Sequence, residues 1–127
     1  MIGELRVGDE RVDTFEVEER HTTDVGGTIA ARVLSTPSMI GMMERNAARL
    51  AFPKLPPGKA TVGFEVCVRH VAGVPEGAVC TVRATLCEIS DGRKLRFDVE
   101  VRQGDRVVGL GTHERRVIDA SPPPTNT

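Results

Sequence analysis

The chain has 127 residues, 39% of them apolar and 28% charged, with 17 basic side chains against 18 acidic ones. That is enough apolar material for one domain core, and a formal charge of -1 exerts no long-range pull on nucleic acid or an anionic membrane. With no Trp or Tyr and only four Phe, stacking platforms for single-stranded nucleic acid are missing too, so no nucleic-acid partner is expected.

The segment up to about Arg20 reads as an extended entry strand anchored by Val12, Phe15 and Val17. Residues 21–34 follow as a loop broken by Gly26 and Gly27. Thr36-Pro37 then signals a helix start, because a hydroxyl caps free N–H groups and proline suits the first helical position. The helix is expected to run to about Phe52, where Pro53 and the Pro56-Pro57-Gly58 run end it. Beyond Gly58 the pattern is strand throughout. Val62, Phe64, Val66 and Val68 alternate with Thr61, Gly63, Glu65 and Cys67, and a break at Gly73 to Gly77 leads into a second run, Val79 to Ile89. Ser90-Asp91-Gly92-Arg93 is a hairpin signal. Leu95, Phe97, Val99 and Val101 mark one face of the next strand, and Gln103-Gly104-Asp105 turns the chain into a last strand ending near Asp119. Residues 1–120 form one domain in this reading, and the remainder, SPPPTNT, is a flexible tail that builds no core.

One strand, one helix and then a four-strand meander is an α+β order rather than an alternating βαβ one. An antiparallel sheet needs its apolar face covered, and a single helix is available to cover it. The economical solution is the hotdog fold, an antiparallel sheet wrapped around one central helix.

The cysteines at 67, 80 and 87 lie in apolar strand runs; an odd number without CxxC spacing reads as free buried thiols, with no disulfide framework and no metal site. No run approaches the roughly 20 apolar residues of a membrane span. MIGELRVGDERVD lacks the regions of a signal peptide, so a cytoplasmic location and no membrane partner are expected.

Three polar residues break the pattern. On a helical wheel Met39, Ile40, Met43, Ala47, Leu50 and Ala51 form an apolar stripe, while Arg45, Asn46 and Arg49 mark the wet side. Glu44 lies at the stripe's edge beside Gly41, Ala48 and Ala51. It is either a boundary carboxylate reaching solvent or a desolvated one usable as a base. His70 continues the inward face of Val62 to Val68, as a proton-exchanging imidazole at a strand end or a core-edge histidine bonded to a carbonyl. Thr36 is an N-cap, or a hydroxyl placed where a helix N-terminus favours an oxyanion. Gly63, inside a strand, marks a bulge or a close approach to a ligand. The last strand carries Gly109, Gly111, Thr112, His113, Glu114, Arg115 and Arg116, either a salt-bridged edge or a source of cations for an acyl or phosphate group. There is no GxSxG, HExxH or P-loop pattern.

RVGDE near the start, TPSMIGMMERNAARL on the helix and GTHERRVI near the end together resemble the fluoroacetyl-CoA thioesterase type of hotdog protein, over about residues 5–119. The resemblance implies a catalytic Thr36, Glu44 and His70, with Gly63 and Arg115 contacting substrate. It also implies a homodimer with sites at the subunit interface, an acyl-CoA substrate and no cofactor. Members that discriminate for fluoroacetyl-CoA carry an aromatic-rich lid before the helix; here VGGTIAARVL is shorter and has no Phe, and Pro37 stands where the family has glycine. The reaction implied is hydrolysis of a short, fluoroacetyl-CoA-like acyl-CoA to free acid and CoA. A hotdog enoyl-CoA hydratase or dehydratase needs an Asp–His pair, and no Asp occurs between Pro37 and His70. A non-catalytic binder of acyl-CoA or another small ligand is the remaining alternative.

Overall fold

The computed structural model describes residues 2–120, so the tail expected after residue 120 lies outside the described residues. In chain order the elements are β1 (Glu10–Glu16), a short 3-10 turn (Glu19–His21), β2 (Thr22–Thr23), β3 (Val33–Leu34), α1 (Thr36–Ala51), a second 3-10 turn (Phe52–Lys54), β4 (Lys59–His70), β5 (Val79–Ser90), β6 (Lys94–Gln103) and β7 (Arg106–Asp119). Five strands make one antiparallel sheet in the order β1-β5-β6-β7-β4, and β2 and β3 pair as a separate ribbon. The sheet wraps α1, as expected for a hotdog arrangement.

The four-strand meander is not what forms. Only β5, β6 and β7 are sequential neighbours, while β4 pairs with β7 and becomes an edge. The break after His70 is a crossover, not a tight turn. Val71 and Ala72 donate to the Val108 carbonyl, Val74 accepts from Leu34 N–H, and Gly77 donates to Val17, so the segment crosses the end of the sheet. Val74, wholly buried, plugs that end. The entry strand is also shorter than expected: it stops at Glu16, and Val17 turns into the core while Val12 stays half exposed. The loop before the helix contains the β2–β3 ribbon.

The core forms where α1 meets the concave face of the sheet. Met39, Met42, Met43, Ala47, Leu50 and Ala51 pack against Cys80, Val82, Ala84 and Leu86 of β5 and Leu95, Phe97, Val99 and Val101 of β6. The buried stripe is rotated from the one read on the wheel: Met42 and Asn46 are buried and Ile40 only half-buried, because β1 covers the flank that carries Asn46. Asn46 donates to the Asp13 carboxylate at 2.8 Å and to the Arg11 carbonyl at 3.2 Å, which makes its burial tolerable. Helix and sheet touch closely at Gly109, where an added methyl would run into Sδ of Met39. The 90–93 turn forms as expected, with Asp91 and Gly92 at φ +54° and +67° and Arg93 N–H donating to Ser90 at 3.1 Å.

The thiols are free but not all buried. Cys80 is buried and its pKa is raised by desolvation, Cys87 is half-buried, and Cys67 is exposed on the outer face of the edge strand β4. No helix among the described residues is long and apolar enough to cross a membrane.

Candidate active site

The N-terminus of α1 is capped by Ser35, not Thr36. Its hydroxyl accepts from Ser38 N–H at 3.2 Å, and Thr36 becomes the first helical residue, with Pro37 beside it. A second hydroxyl at the cap would be redundant, so Thr36 is released to turn toward the sheet. There it meets the last residue of β4: Thr36 Oγ1 lies 2.8 Å from Nδ1 of His70. The other imidazole nitrogen, Nε2, is buried and has no hydrogen-bond partner among the described residues. A hydroxyl beside an imidazole is the pairing by which an oxygen nucleophile is activated.

The expected inward face of β4 is only half right. The register against β7 shifts between Gly63 and Glu65, so a bulge interrupts the alternation. Beyond it Val66, Val68 and His70 are half-buried, as read from the sequence, but Val62 and Phe64 are exposed at 44% and 61%. Phe64 is pushed to the outside, where the Arg116 guanidinium stacks 3.7 Å from its ring centre. Gly63 takes the inward position instead, beside Thr61.

Beneath Gly63 lies the second polar group of the site. A methyl on Gly63 would sit 3.0 Å from Oε2 of Glu44, 3.7 Å from Nη1 of Arg115 and 3.8 Å from Cε1 of His113. Arg115 is only 7% exposed and is fixed on three sides: Nε donates to Thr61 Oγ1 at 2.7 Å, Nη2 to the Thr61 carbonyl at 3.0 Å, and Nη1 to Nε2 of His113 at 3.2 Å. His113, also buried, donates from Nδ1 to the Glu65 carbonyl at 2.8 Å and stacks on Phe97 with ring centres 6.3 Å apart. Burial, joined by the Arg115 charge, pushes the His113 pKa below its ordinary value. Burial likewise lowers that of Arg115, against the nearby Glu44 charge. The Glu44 carboxylate is half-buried and makes no hydrogen bond or ion pair with the described residues.

Of the five residues singled out in the sequence, the fold thus brings Thr36 to His70 and Glu44 to Gly63 and Arg115. It does not join the two groups within one protomer: Glu44 stands eight residues along the helix from Thr36, a rise of about 12 Å. Both groups lie beside the free edge of β4, where Thr36 and Gly63 are exposed. His113 and Thr61 are the residues whose part the sequence reading missed. The available signal was His113 two positions before Arg115, hence on the same face of one strand.

The family model described as fluoroacetyl-CoA-specific thioesterase matches residues 17–121. A fluoroacetyl-CoA thioesterase of Streptantibioticus cattleyicolor is 41% identical over 86 residues, which are 68% of this chain and 61% of that protein, so the match spans less than two thirds of the relative's length. A crystal structure of the fluoroacetyl-CoA thioesterase FlK superposes with a TM-score of 0.83 at 34% identity, covering 91% of this chain and 90% of the other. A thioesterase superfamily member from Thermus thermophilus shares the fold alone, with a TM-score of 0.81 at 23% identity over 91% of this chain and 85% of the other.

Proposed function

The chain belongs to the fluoroacetyl-CoA-specific thioesterase family, and on that footing we propose that it hydrolyses short acyl-CoA thioesters to the free acid and CoA. The observation that carries this reading is the 2.8 Å contact between the Thr36 hydroxyl and Nδ1 of His70 at the head of α1. With its proton on Nε2, His70 accepts the Thr36 proton as the oxygen attacks the thioester carbon and returns it to the departing sulfur; a water that gives its proton to the same imidazole then cleaves the acyl-threonine ester, releasing the acid and restoring the Thr36 hydroxyl. Pro37 has no N–H and Ser38 N–H is taken by Ser35, so the Thr36 N–H is the open donor of the first turn for the developing oxyanion. Glu44 supplies a second base, and Arg115 a fixed cation for the substrate.

The substrate class is set by what covers the site. Residues 25–32, which precede the helix, are all exposed and contain no aromatic side chain. They provide no wall against a small acyl group, which supports turnover of short acyl-CoAs in general rather than selection for a fluorinated one. The protein acts as a homodimer in this reading, supported by the twelve-residue edge that β4 leaves unpaired. Three free thiols fit a reducing, cytoplasmic setting.

The test is release of free CoA from acetyl-, fluoroacetyl- and longer acyl-CoAs by the wild type and His70→Ala. Turnover by the wild type, lost in the variant, is expected. Wild-type rates at background across the panel, with acyl-CoA bound but intact, would leave a non-catalytic binder.

A further inference from the structure

A guanidinium has five N–H groups, and in Arg115 three of them are taken. Nε–H goes to Thr61 Oγ1, one N–H of Nη2 to the Thr61 carbonyl, and one of Nη1 to Nε2 of His113. One N–H on each terminal nitrogen is left over. We propose that His113 and Thr61 are positioning residues for Arg115: they lock its guanidinium in one orientation, with the two remaining N–H groups presented beside Gly63 as a fixed fork for an acceptor oxygen of the substrate. The proposal rests on the thioesterase reading for the identity of that substrate, but the lock itself is a property of β4 and β7.

The lock is built from the bulge in β4. The two backbone carbonyls that take part, Thr61 toward Arg115 and Glu65 toward His113, lie on either side of Gly63, where the ladder to β7 is irregular. Both accept from side chains of β7. His113 is held on three sides in turn: Nδ1–H donates to the Glu65 carbonyl, the ring stacks on Phe97, and Nε2 is left as an acceptor for Arg115. Burial favours the neutral imidazole that this arrangement needs.

A long cationic side chain left to itself keeps its head in water or pairs with the nearest carboxylate. Here that carboxylate is Glu44. Its Oε2 and Nη1 of Arg115 both lie within 4 Å of the place where a Gly63 methyl would stand, yet no hydrogen bond or ion pair joins them among the described residues. Three bonds to Thr61 and His113 keep the guanidinium off Glu44, so that base and cation both stay available. Gly63 is exposed and carries no side chain, which leaves Nη1 open to approach from that side. A fork already fixed loses little freedom when a ligand binds, and its affinity for the ligand rises accordingly.

The test compares two pairs of variants. Thr61→Val and His113→Phe keep shape and stacking but remove an acceptor from Arg115, whereas Thr61→Ser and His113→Gln keep one. The probe is the ketone analogue of acetyl-CoA in which a methylene replaces the thioester sulfur, titrated calorimetrically. The first pair should bind it about ten-fold more weakly than the wild type, and the second pair within about two-fold. In an Arg115→Met background Thr61→Val and His113→Phe should weaken binding no further, because they act through the guanidinium. NMR of the arginine side-chain nitrogens should show slow Nη rotation at Arg115 in the wild type, Thr61→Ser and His113→Gln, and free rotation in Thr61→Val and His113→Phe. Equal weakening by both pairs, or further weakening once Arg115 is gone, overturns the positioning role. A freely rotating guanidinium in the wild type overturns the lock even if hydrolysis is found. A locked guanidinium in a protein that neither binds the analogue nor releases CoA leaves the lock standing and removes the thioesterase reading instead.

Discussion

Nε2 of His113 accepts from the Arg115 guanidinium at 3.2 Å while its Nδ1 lies 2.8 Å from the Glu65 carbonyl. A guanidinium only donates and a carbonyl only accepts, so the imidazole is neutral with its proton on Nδ1. A second proton, on Nε2, would point at the Arg115 N–H. Folding therefore depresses the His113 pKa, through burial first and the Arg115 charge with it, while the unfolded chain titrates near 6.5.

The sign of the pH effect follows. Above about pH 6.5 neither state carries the proton and His113 contributes no pH dependence. Below it the unfolded chain binds a proton that the folded one refuses, so stability falls as pH falls until the depressed folded value is reached. Denaturant titrations between pH 7.5 and 5.5 should show this decline, at most about 1.4 kcal/mol per pH unit from one group. His113→Gln should flatten it. The carboxylates of Asp9 and Asp13, whose pKa values are lowered, act separately: their stabilisation is present above about pH 4 and is lost on further acidification. An unchanged slope in the variant between pH 7.5 and 5.5 would rule out the assigned protonation.

Gly63→Ala should separate activity from stability. The new methyl would stand 3.0 Å from Oε2 of Glu44, the far end of a flexible side chain, so the fold absorbs it by moving the carboxylate. Glu44 is the proposed second base, and misplacing such a group by about 1 Å costs on the order of 100-fold in rate, which sets the upper bound for this smaller shift. The expected result is a loss of about 10- to 100-fold in kcat/KM with unfolding free energy altered by less than about 1 kcal/mol. Full activity would mean that Glu44 has no positional role.

Thr36 offers a cleaner chemical comparison. Thr36→Ser keeps the hydroxyl that meets His70, whereas Thr36→Val keeps the shape and loses the hydroxyl. Because Ser35 carries the cap, neither change should cost the helix its N-terminal hydrogen bond. Thr36→Val should lower kcat by about 100-fold or more while Thr36→Ser retains most of it. Equal kcat values for the two variants would move the attack to a water that Thr36 does not touch.

Much of this arrangement was legible before the fold was seen, because it follows from local pattern. The alternation of Leu95 to Val101, the Asp91-Gly92 turn and the Pro-bounded helix each depend on a few neighbouring residues, and each is where it was expected. Thr36 and His70 stood out because a hydroxyl and an imidazole mark element ends, and those ends meet. What escaped is what depends on partners distant in sequence. β4 sits at the edge against β7 because the 71–78 crossover carries the chain over the end of the sheet, and no local periodicity encodes that. The bulge at Phe64 preserves an apolar alternation in the sequence while breaking it in space. His113 looks like one more polar residue of an edge strand until Phe97 covers it and Glu65 and Arg115 satisfy both its nitrogens.

Asn46 is the sharpest case of the same kind, and it makes a prediction about stability. Read on a wheel it faces water; in the fold it is 1% exposed, donating to Asp13 and to the Arg11 carbonyl, while its own Oδ1 is buried without a partner. Asn46→Ala removes that unpaired oxygen and gains helix propensity, but strips the donor from a carboxylate and a carbonyl. Loss of a donor to a charged acceptor is the larger effect, so a net cost of about 1–3 kcal/mol is expected in the unfolding free energy. Asp13 also bonds Arg11 at 3.1 Å, so it keeps one partner and the cost stays within that range. In an Asp13→Ala background the Asn46→Ala penalty should shrink by at least about 0.5 kcal/mol, since the two side chains share one interaction. Additive penalties in that double-mutant cycle would show that Asn46 is held by packing rather than by its hydrogen bond to Asp13.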